Sequence, residues 1–234
     1  MSSPAPDYPP LCPLCKQPSL TPYFTDAAFR DSQGRVGPRT YLRCAVCDLV
    51  SVAAGHRPSP ADERRVYDLH ENHPDDAGYQ RFLNQLIDPL CARLGAAPRT
   101  ILDFGCGPGP ALAAMLRRHG HQVHIYDPIY APDPAVLDRQ FAVITCTEAL
   151  EHFFRPHREW NLWMSLLAPD GWLGVMTQLR PDDANFPHWH YRRDPTHVSL
   201  FSARSLAWLA MANNLTLEIL GTRVVLMQRR RSRP

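Results

Sequence analysis

The stretch Thr100-Ile101-Leu102-Asp103-Phe104-Gly105-Cys106-Gly107-Pro108-Gly109 is the one on which the fold turns. Its first five residues form a short apolar strand that runs straight into a glycine-rich turn. A helical stretch follows, with Leu112, Met115 and Leu116 on one side. Strand, glycine turn and helix together open a doubly wound parallel sheet of the nucleotide-binding kind. The glycines permit positive φ and let a ligand lie against bare backbone. Pro108 does not suit the tight pyrophosphate turn of dinucleotide enzymes. Asp103 ends the strand, placed to order the loop and to meet an ammonium group. Gln122-Val123-His124-Ile125-Tyr126 reads as a second strand ending at Asp127, eighteen residues after Gly109. An acid there accepts both hydroxyls of a ribose.

Composition bounds the rest. The 234 residues are 44% hydrophobic and 21% charged, enough for one good core and a small appendage. Lys+Arg is 25 against 23 Asp+Glu, a formal net charge of +2. That balance excludes a strongly basic nucleic-acid binder and a polyacidic tail protein. The 24 prolines sit mostly in connections rather than in periodic segments. No run reaches the roughly 18 apolar residues of a membrane span, and Met1 to Asp7 lack the basic and apolar regions of a signal peptide. A cytoplasmic location is expected, where paired cysteines point to metal rather than to disulfides.

Cys12-Pro13-Leu14-Cys15 and Cys44-Ala45-Val46-Cys47 are two C-x2-C knuckles with 28 residues between them. Each knuckle turns two thiolates toward one ion, and two knuckles complete a tetrahedral four-cysteine shell. With no open coordination position the expected ion is a structural zinc; a redox disulfide or chance pairs are the bland alternatives. Pro22–Thr25, Arg39–Arg43 and Leu49–Val52 read as the strands of a zinc ribbon spanning 11–52. Substrate capping, dimerisation and docking all remain open as its role. Gly55–Pro60 reads as a linker, and Ser59-Pro60-Ala61-Asp62 as a helix start. Phe82, Leu83, Leu86, Ile87, Leu90 and Leu94 make a helical stripe within 79–94. Tyr67, His70 and Asn72 precede it and read as surface or half-buried polar residues.

Several segments acquire a joint meaning at this point. Leu102 to Gly109 resembles the first motif of the class I S-adenosylmethionine (SAM)-dependent methyltransferases, and Asp127 resembles their second-strand acid. Thr145-Cys146-Thr147-Glu148-Ala149-Leu150-Glu151-His152-Phe153 is similar to the segment after their fourth strand. Leu167-Ala168-Pro169-Asp170-Gly171-Trp172-Leu173 is similar to the turn before the fifth. The resemblance implies a Rossmann-like doubly wound α/β sheet over 61–228, with SAM at the strand ends. It implies a cofactor set of Asp103, Gly105, Cys106, Gly107, Gly109, Asp127, Pro128, Cys146, Thr147 and Glu148. One departure stands out. Only thirteen residues separate Asp127 from Phe141, with prolines at 128, 132 and 134. The third strand is therefore expected to be shortened to about Ala135-Val136-Leu137 or lost, and adenine packing falls to Ile129 or Tyr130.

Glu148-x-x-Glu151-His152 follows the strand Ala142–Thr145, and a helical turn there puts i, i+3 and i+4 on one face. With His197, this pattern resembles the magnesium site of ubiquinone-pathway O-methyltransferases and of small-RNA 2′-O-methyltransferases. Glu148, Glu151, His152 and His197 thus offer a magnesium site, while a histidine base is the simpler chemistry. His152, His190 and His197 are the catalytic candidates. Phe186 to Asp194 is too aromatic and too rich in histidine for an inert loop and is expected to border the substrate. Within it, Arg192 and Arg193 are free to meet an anion or to pair with Asp182, Asp183 or Asp194. Ser202 caps a helix to about Ala212, and Leu215–Leu220 with Arg223–Met227 close the sheet. Gln228–Pro234 is a basic tail.

The expected protein is a SAM-dependent enzyme that methylates an oxygen of a small molecule, with its oligomeric state open. The alternatives are an RNA or protein methyltransferase docked by the ribbon, and a non-catalytic SAM-binding scaffold. The near-neutral charge argues against extensive phosphate contacts along a nucleic acid.

Overall fold

The computed structural model describes residues 11–69 and 73–230, so His70, Asn72 and 231–234 of the basic tail lie outside the described residues. The chain opens with a long antiparallel hairpin, β1 (Leu20–Arg30) and β2 (Val36–Cys44), and β3 (Val50–Val52) pairs back on β2. These strands occupy the positions expected of the ribbon, but the hairpin is longer than the segments read from sequence. Ser59 caps α1 (Pro60–Tyr67) by accepting from the Asp62 amide, and Asp76 caps α2 (Ala77–Leu94) through the Tyr79 amide.

There follow β4 (Thr100–Phe104), α3 (Ala111–Arg118), β5 (Gln122–Tyr126), β6 (Phe141–Thr147), α4 (Pro156–Leu166) and β7 (Leu167–Met176). The chain ends through β8 (Ser199–Leu200), α5 (Ala203–Ala212), β9 (Leu215–Leu220) and β10 (Val224–Arg229). The main sheet has the order β5-β4-β6-β7-β10-β9, parallel except for β10. This is the mixed α/β, Rossmann-like sheet expected from the glycine turn. Its central strands β4 and β6 are buried on both faces, as strands inside a parallel sheet must be. Ile101 and Val143 face α2 and α3, whereas Leu102 and Ile144 face the α4 and α5 side. The stripe on α2 is fully used: Leu83, Leu86, Ile87, Leu90 and Leu94 are all buried, each contributing about 1.5–3 kcal/mol. Phe82 stays half-buried at its edge.

The third strand is lost. Pro134–Asp138 is a single 3-10 turn capped by Asp133, and β5 is the edge of the sheet among the described residues. Prolines at 128, 132 and 134 remove amide donors where a ladder would need them. Only an isolated bridge between Asp127 and Ala131 remains. The α-helical turn expected at Glu148 is likewise a tighter 3-10 turn, Leu150–His152.

A second sheet joins the amino-terminal strands to the far end of the chain, in the order β1-β2-β3-β8. Val50 pairs with Leu200 and Ser51 with Ser199. Beneath it, Tyr41, Val50 and Val52 share a core with Phe186, Trp189, Val198 and Leu200. A buried ion network crosses the same seam. Asp48 accepts from Arg43 Nε at 2.6 Å, Arg180 Nη2 at 2.9 Å and Ser202 Oγ at 2.5 Å. Burial alone would raise the Asp48 carboxyl, but the Ser202 hydroxyl and the two guanidinium groups hold it below its ordinary value. Ser202 also caps α5, accepting from Ser205 N at 3.1 Å. Ser202→Ala removes the cap and one partner of a buried carboxylate together. Urea unfolding should show a loss of about 1–2 kcal/mol.

Candidate active site

The carboxyl ends of β4, β5 and β6 open on a cavity of about 960 Å³. The glycine turn forms one wall. Gly105 adopts φ +75°, its amide donating to Tyr126 O at 2.8 Å, and an added Cβ would lie 2.7 Å from that of Ala149. Gly107, at φ +64°, has nothing within 4 Å of where a Cβ would stand, so the turn presents bare backbone there. Asp127 knits this wall to the next. Its Oδ2 accepts from Gly107 N at 3.1 Å, and its Oδ1 from Ile129 N at 2.8 Å and Tyr130 N at 3.0 Å.

Gly105, Cys106, Gly107, Asp127, Pro128, Thr147 and Glu148 of the expected cofactor set line the cavity, as do Ile129 and Tyr130. Asp103, Gly109 and Cys146 do not reach it. Asp103 is buried behind the turn, accepting from Thr145 Oγ1 at 3.0 Å, and burial pushes its carboxyl up to about 7. It orders the strand end and has no face on the cavity. Cys146 is wholly buried on β6.

Glu151, His152 and His197 converge elsewhere on the same cavity, their ligand atoms within 4.8 Å of one another. His152 Nδ1 donates to Thr196 O at 3.2 Å, and His197 Nδ1 donates to Tyr191 O at 2.7 Å. A carbonyl can only accept, so both neutral rings carry their proton on Nδ1 and keep the Nε2 lone pair free. Those Nε2 atoms lie 3.9 and 4.0 Å from Glu151 Oε1. Burial lowers both imidazoles, His197 to about 3 with His152 beside it, so both are neutral near pH 7.

Glu148 departs from the expected foursome. Its backbone sits at φ +48°, and its Oε2 accepts from the Tyr191 hydroxyl at 3.2 Å while Oε1 is buried with no partner among the described residues. The same hydroxyl donates to Glu151, whose other oxygen accepts from Thr177 Oγ1 at 2.8 Å. Burial and the charge of Glu151 push Glu148 up to about 8, and burial pushes Glu151 up to about 7. The Tyr191 hydroxyl favours the ionised forms, but burial outweighs it, so the pair resists full ionisation.

The structure does not bring His190 to the cavity: it is exposed on the 3-10 turn His190–Arg193. Trp189 and Tyr191 anchor their loop rather than line the space. Arg192 is buried and pairs with Asp26 of β1 at 2.9 Å, not with the nearby acids expected as alternatives. Tyr67 is half-buried, as expected, and lines the cavity. It packs edge-on against His152 at 5.1 Å and donates to Glu63 Oε1 at 2.6 Å. Glu63 and Asp194 also line the cavity and were missed. The i, i+4 spacing of Glu63 and Tyr67 after the Ser59 cap was the available signal.

The four knuckle cysteines come together in the amino-terminal part. Cys12 Sγ is 3.5 Å from Cys47 Sγ, and Cys15 Sγ is 3.4 Å from Cys44 Sγ, with all four within 4.8 Å. A disulfide needs about 2.05 Å. Tetrahedral thiolates about 2.3 Å from a zinc ion stand about 3.8 Å apart, so the cluster fits a metal. Hydrogen bonding from Cys47 pulls Cys12 down to about 5, while burial pushes Cys15 up to about 12.

Residues 77–219 match the family model described as a methyltransferase domain, and the chain belongs to that family. It is an enzyme of the SAM-dependent methyltransferase class. No curated protein matches it in sequence. Among solved structures it is similar to magnesium protoporphyrin IX methyltransferase of Synechocystis PCC 6803 with bound S-adenosylhomocysteine. That match has 16% identity, 73% of this chain, 94% of that one and a TM-score of 0.52. It is also similar to the 1,6-didemethyltoxoflavin-N1-methyltransferase of Burkholderia thailandensis, at 18% identity, 88% and 97% coverage and a TM-score of 0.50. These likenesses show the fold. No helix among the described residues is long and apolar enough to cross a membrane.

Two predictions follow from the glycine turn and the buried acid behind it. Gly105→Ala combines a forced left-handed backbone with a clash and should cost about 3 kcal/mol or more. Gly107→Ala meets only the backbone penalty of about 1–2 kcal/mol; paired urea denaturation curves check the order. The Asp103 carboxyl is raised in the folded state above its unfolded value of about 3.9. Its favourable contribution is therefore full below that value and is lost as pH rises toward about 7. Between pH 5 and 7 the stability of Asp103→Asn should fall less steeply than wild type, by about 1 kcal/mol per pH unit. Denaturation at several pH values measures this.

Proposed function

We propose that the chain transfers the methyl group of SAM to a hydroxyl oxygen of a small molecule, deprotonated at the Glu151–His152–His197 cluster. The observation that carries this is the convergence of two Nδ1-anchored imidazoles and one carboxylate in the cavity bounded by the glycine turn. Gly105, Cys106, Gly107, Asp127, Pro128, Thr147 and Glu148 hold the cofactor. Asp127 faces its ribose with the acceptor capacity left by three backbone amides, and Ile129 and Tyr130 cover the adenine. Asp103 supports the loop from behind. Methyl transfer is an in-line displacement, so these residues chiefly align the reacting atoms and exclude water.

Two neutral imidazoles and a carboxylate are the donor set of a divalent cation such as magnesium or a transition metal. Glu151, His152 and His197 would hold it, and when bound it lowers the pKa of a coordinated hydroxyl. Without it, His152 takes the proton at Nε2, and Thr196 holds its ring in the required tautomer. Acceptors of the two similar structures are small molecules by name, magnesium protoporphyrin IX and 1,6-didemethyltoxoflavin. Cys12, Cys15, Cys44 and Cys47 hold a structural zinc, and the 11–52 module serves the 61–228 catalytic part by holding the segment that carries His197.

Calorimetric titration with SAM, with added magnesium and again with a chelator that spares the cysteine site, tests this reading. Micromolar SAM binding is expected, with one zinc per chain by elemental analysis. A magnesium heat abolished by His197→Ala selects the cation; no magnesium heat selects His152 as base. Absence of SAM binding by folded, cofactor-free protein overturns the proposal.

A further inference from the structure

Beside the large cavity, in the seam between the cysteine module and α4, lies a second hollow of about 310 Å³. Lys16, Arg57, Arg155 and Arg158 line it, and no carboxylate does. Such a concentration is not a matter of composition, since the chain carries a net charge of only +2 and Lys16 is its single lysine. Elsewhere in this seam most arginines are neutralised, and Arg39 spends its donors on carbonyls. Arg43 and Arg180 share Asp48 and Asp183, and Arg192 takes Asp26. Lys16, Arg57, Arg155 and Arg158 have no carboxylate within 4 Å among the described residues. Glu159 is near enough to feel Arg155 and Arg158, but it lines the large cavity instead.

Two further facts give the hollow a direction. Arg57 is held by main-chain carbonyls, donating to Val52 O at 2.8 Å and Phe154 O at 3.3 Å, so its charge is fixed in place and uncompensated. Ser51 is completely buried, lines the hollow, and its hydroxyl has no hydrogen-bond partner among the described residues. A buried unpaired hydroxyl costs about 1–3 kcal/mol, which a bound acceptor atom would recover. The hollow also adjoins the large cavity: Phe154 and Arg158 line both.

Resting on the methyltransferase reading above, we infer that this hollow receives the phosphate or diphosphate group of the methyl acceptor. The acceptor is thus a phosphate-bearing small molecule, its hydroxyl at the Glu151–His152–His197 end and its anion among Lys16, Arg57, Arg155 and Arg158. One fixed guanidinium, three further cations and a hydroxyl donor suit the tetrahedral oxygens of a phosphate. A hollow of this size suits one such group rather than a polynucleotide track.

Calorimetry of the metal-loaded protein with inorganic pyrophosphate, and separately with inorganic phosphate, tests the inference at constant ionic strength. Submillimolar pyrophosphate binding is expected. Lys16→Ala/Arg155→Ala should weaken it at least tenfold, and Ser51→Ala several-fold, while SAM affinity stays that of wild type. The inference is overturned if wild type binds neither anion, or if the double variant binds pyrophosphate as wild type does. Tighter binding of a 20-nucleotide RNA through the same two cations, falling steeply with salt, would also overturn it. SAM binding is read on the same samples, so failure of the cofactor and failure of the anion site are separate results.

Discussion

A two-residue strand holds the two ends of the molecule in register. Ser199 and Leu200 pair with Ser51 and Val50, and Val52 N extends the ladder to Val198 O at 2.9 Å. On the other side Val198 N donates to Glu151 O at 2.9 Å, and Ser199 Oγ to Phe153 O at 2.7 Å. The segment carrying His197 is thereby laced between the amino-terminal sheet and the turn carrying Glu151 and His152. Arg39 completes the seam from β2. Its Nη2 donates to His197 O at 2.8 Å and Pro195 O at 3.1 Å. The amino-terminal module is therefore part of the cavity's construction, and its cysteine cluster lies in the same apolar core as α4 and α5.

That seam carries more buried charge than a soluble core ordinarily tolerates, and the charges are handled in two ways. Asp48, Arg43, Arg180 and Asp183 neutralise one another and hold the module against α5. Arg39 has no such counterion. It spends its donors on carbonyls and lays its guanidinium 4.9 Å over Phe29, an arrangement that offsets part of the desolvation that lowers its pKa. Removing Asp48 would leave the buried Arg180 short of a counterion, a cost of about 3–5 kcal/mol. Such networks tie the module to one orientation more strictly than apolar packing alone.

The near-neutral net charge conceals a segregation. Acids gather at one end of the large cavity, where Glu63, Glu151 and Asp194 surround two neutral imidazoles. Bases gather in the adjoining hollow. A field arranged this way attracts positive charge to the reacting end and negative charge to the distal one. Burial raises Glu148 and Glu151, and a neighbouring carboxylate adds to each, Glu151 for Glu148 and Asp194 for Glu151.

Local pattern was enough for the sheet, the helices, the glycine turn and the two cysteine knuckles. Alternation and period are properties of neighbouring residues, so the strand before Gly105, the α2 stripe and the Ser59 and Ser202 caps were legible in the sequence. The loss of the third strand was half legible, because prolines forbid a ladder without saying what replaces it. The cysteine pairing was legible too, since metal-ligand spacing is local within each knuckle. Only the tertiary structure decided which members of the cluster meet. Glu148 and His190 drop away because a left-handed backbone and an exposed 3-10 turn aim them elsewhere. Tyr67 and Glu63 enter because α1 folds over the cavity. Contacts between residues far apart in the chain depend on how sheets and helices pack, and packing is a property of the whole molecule that no short window of sequence contains.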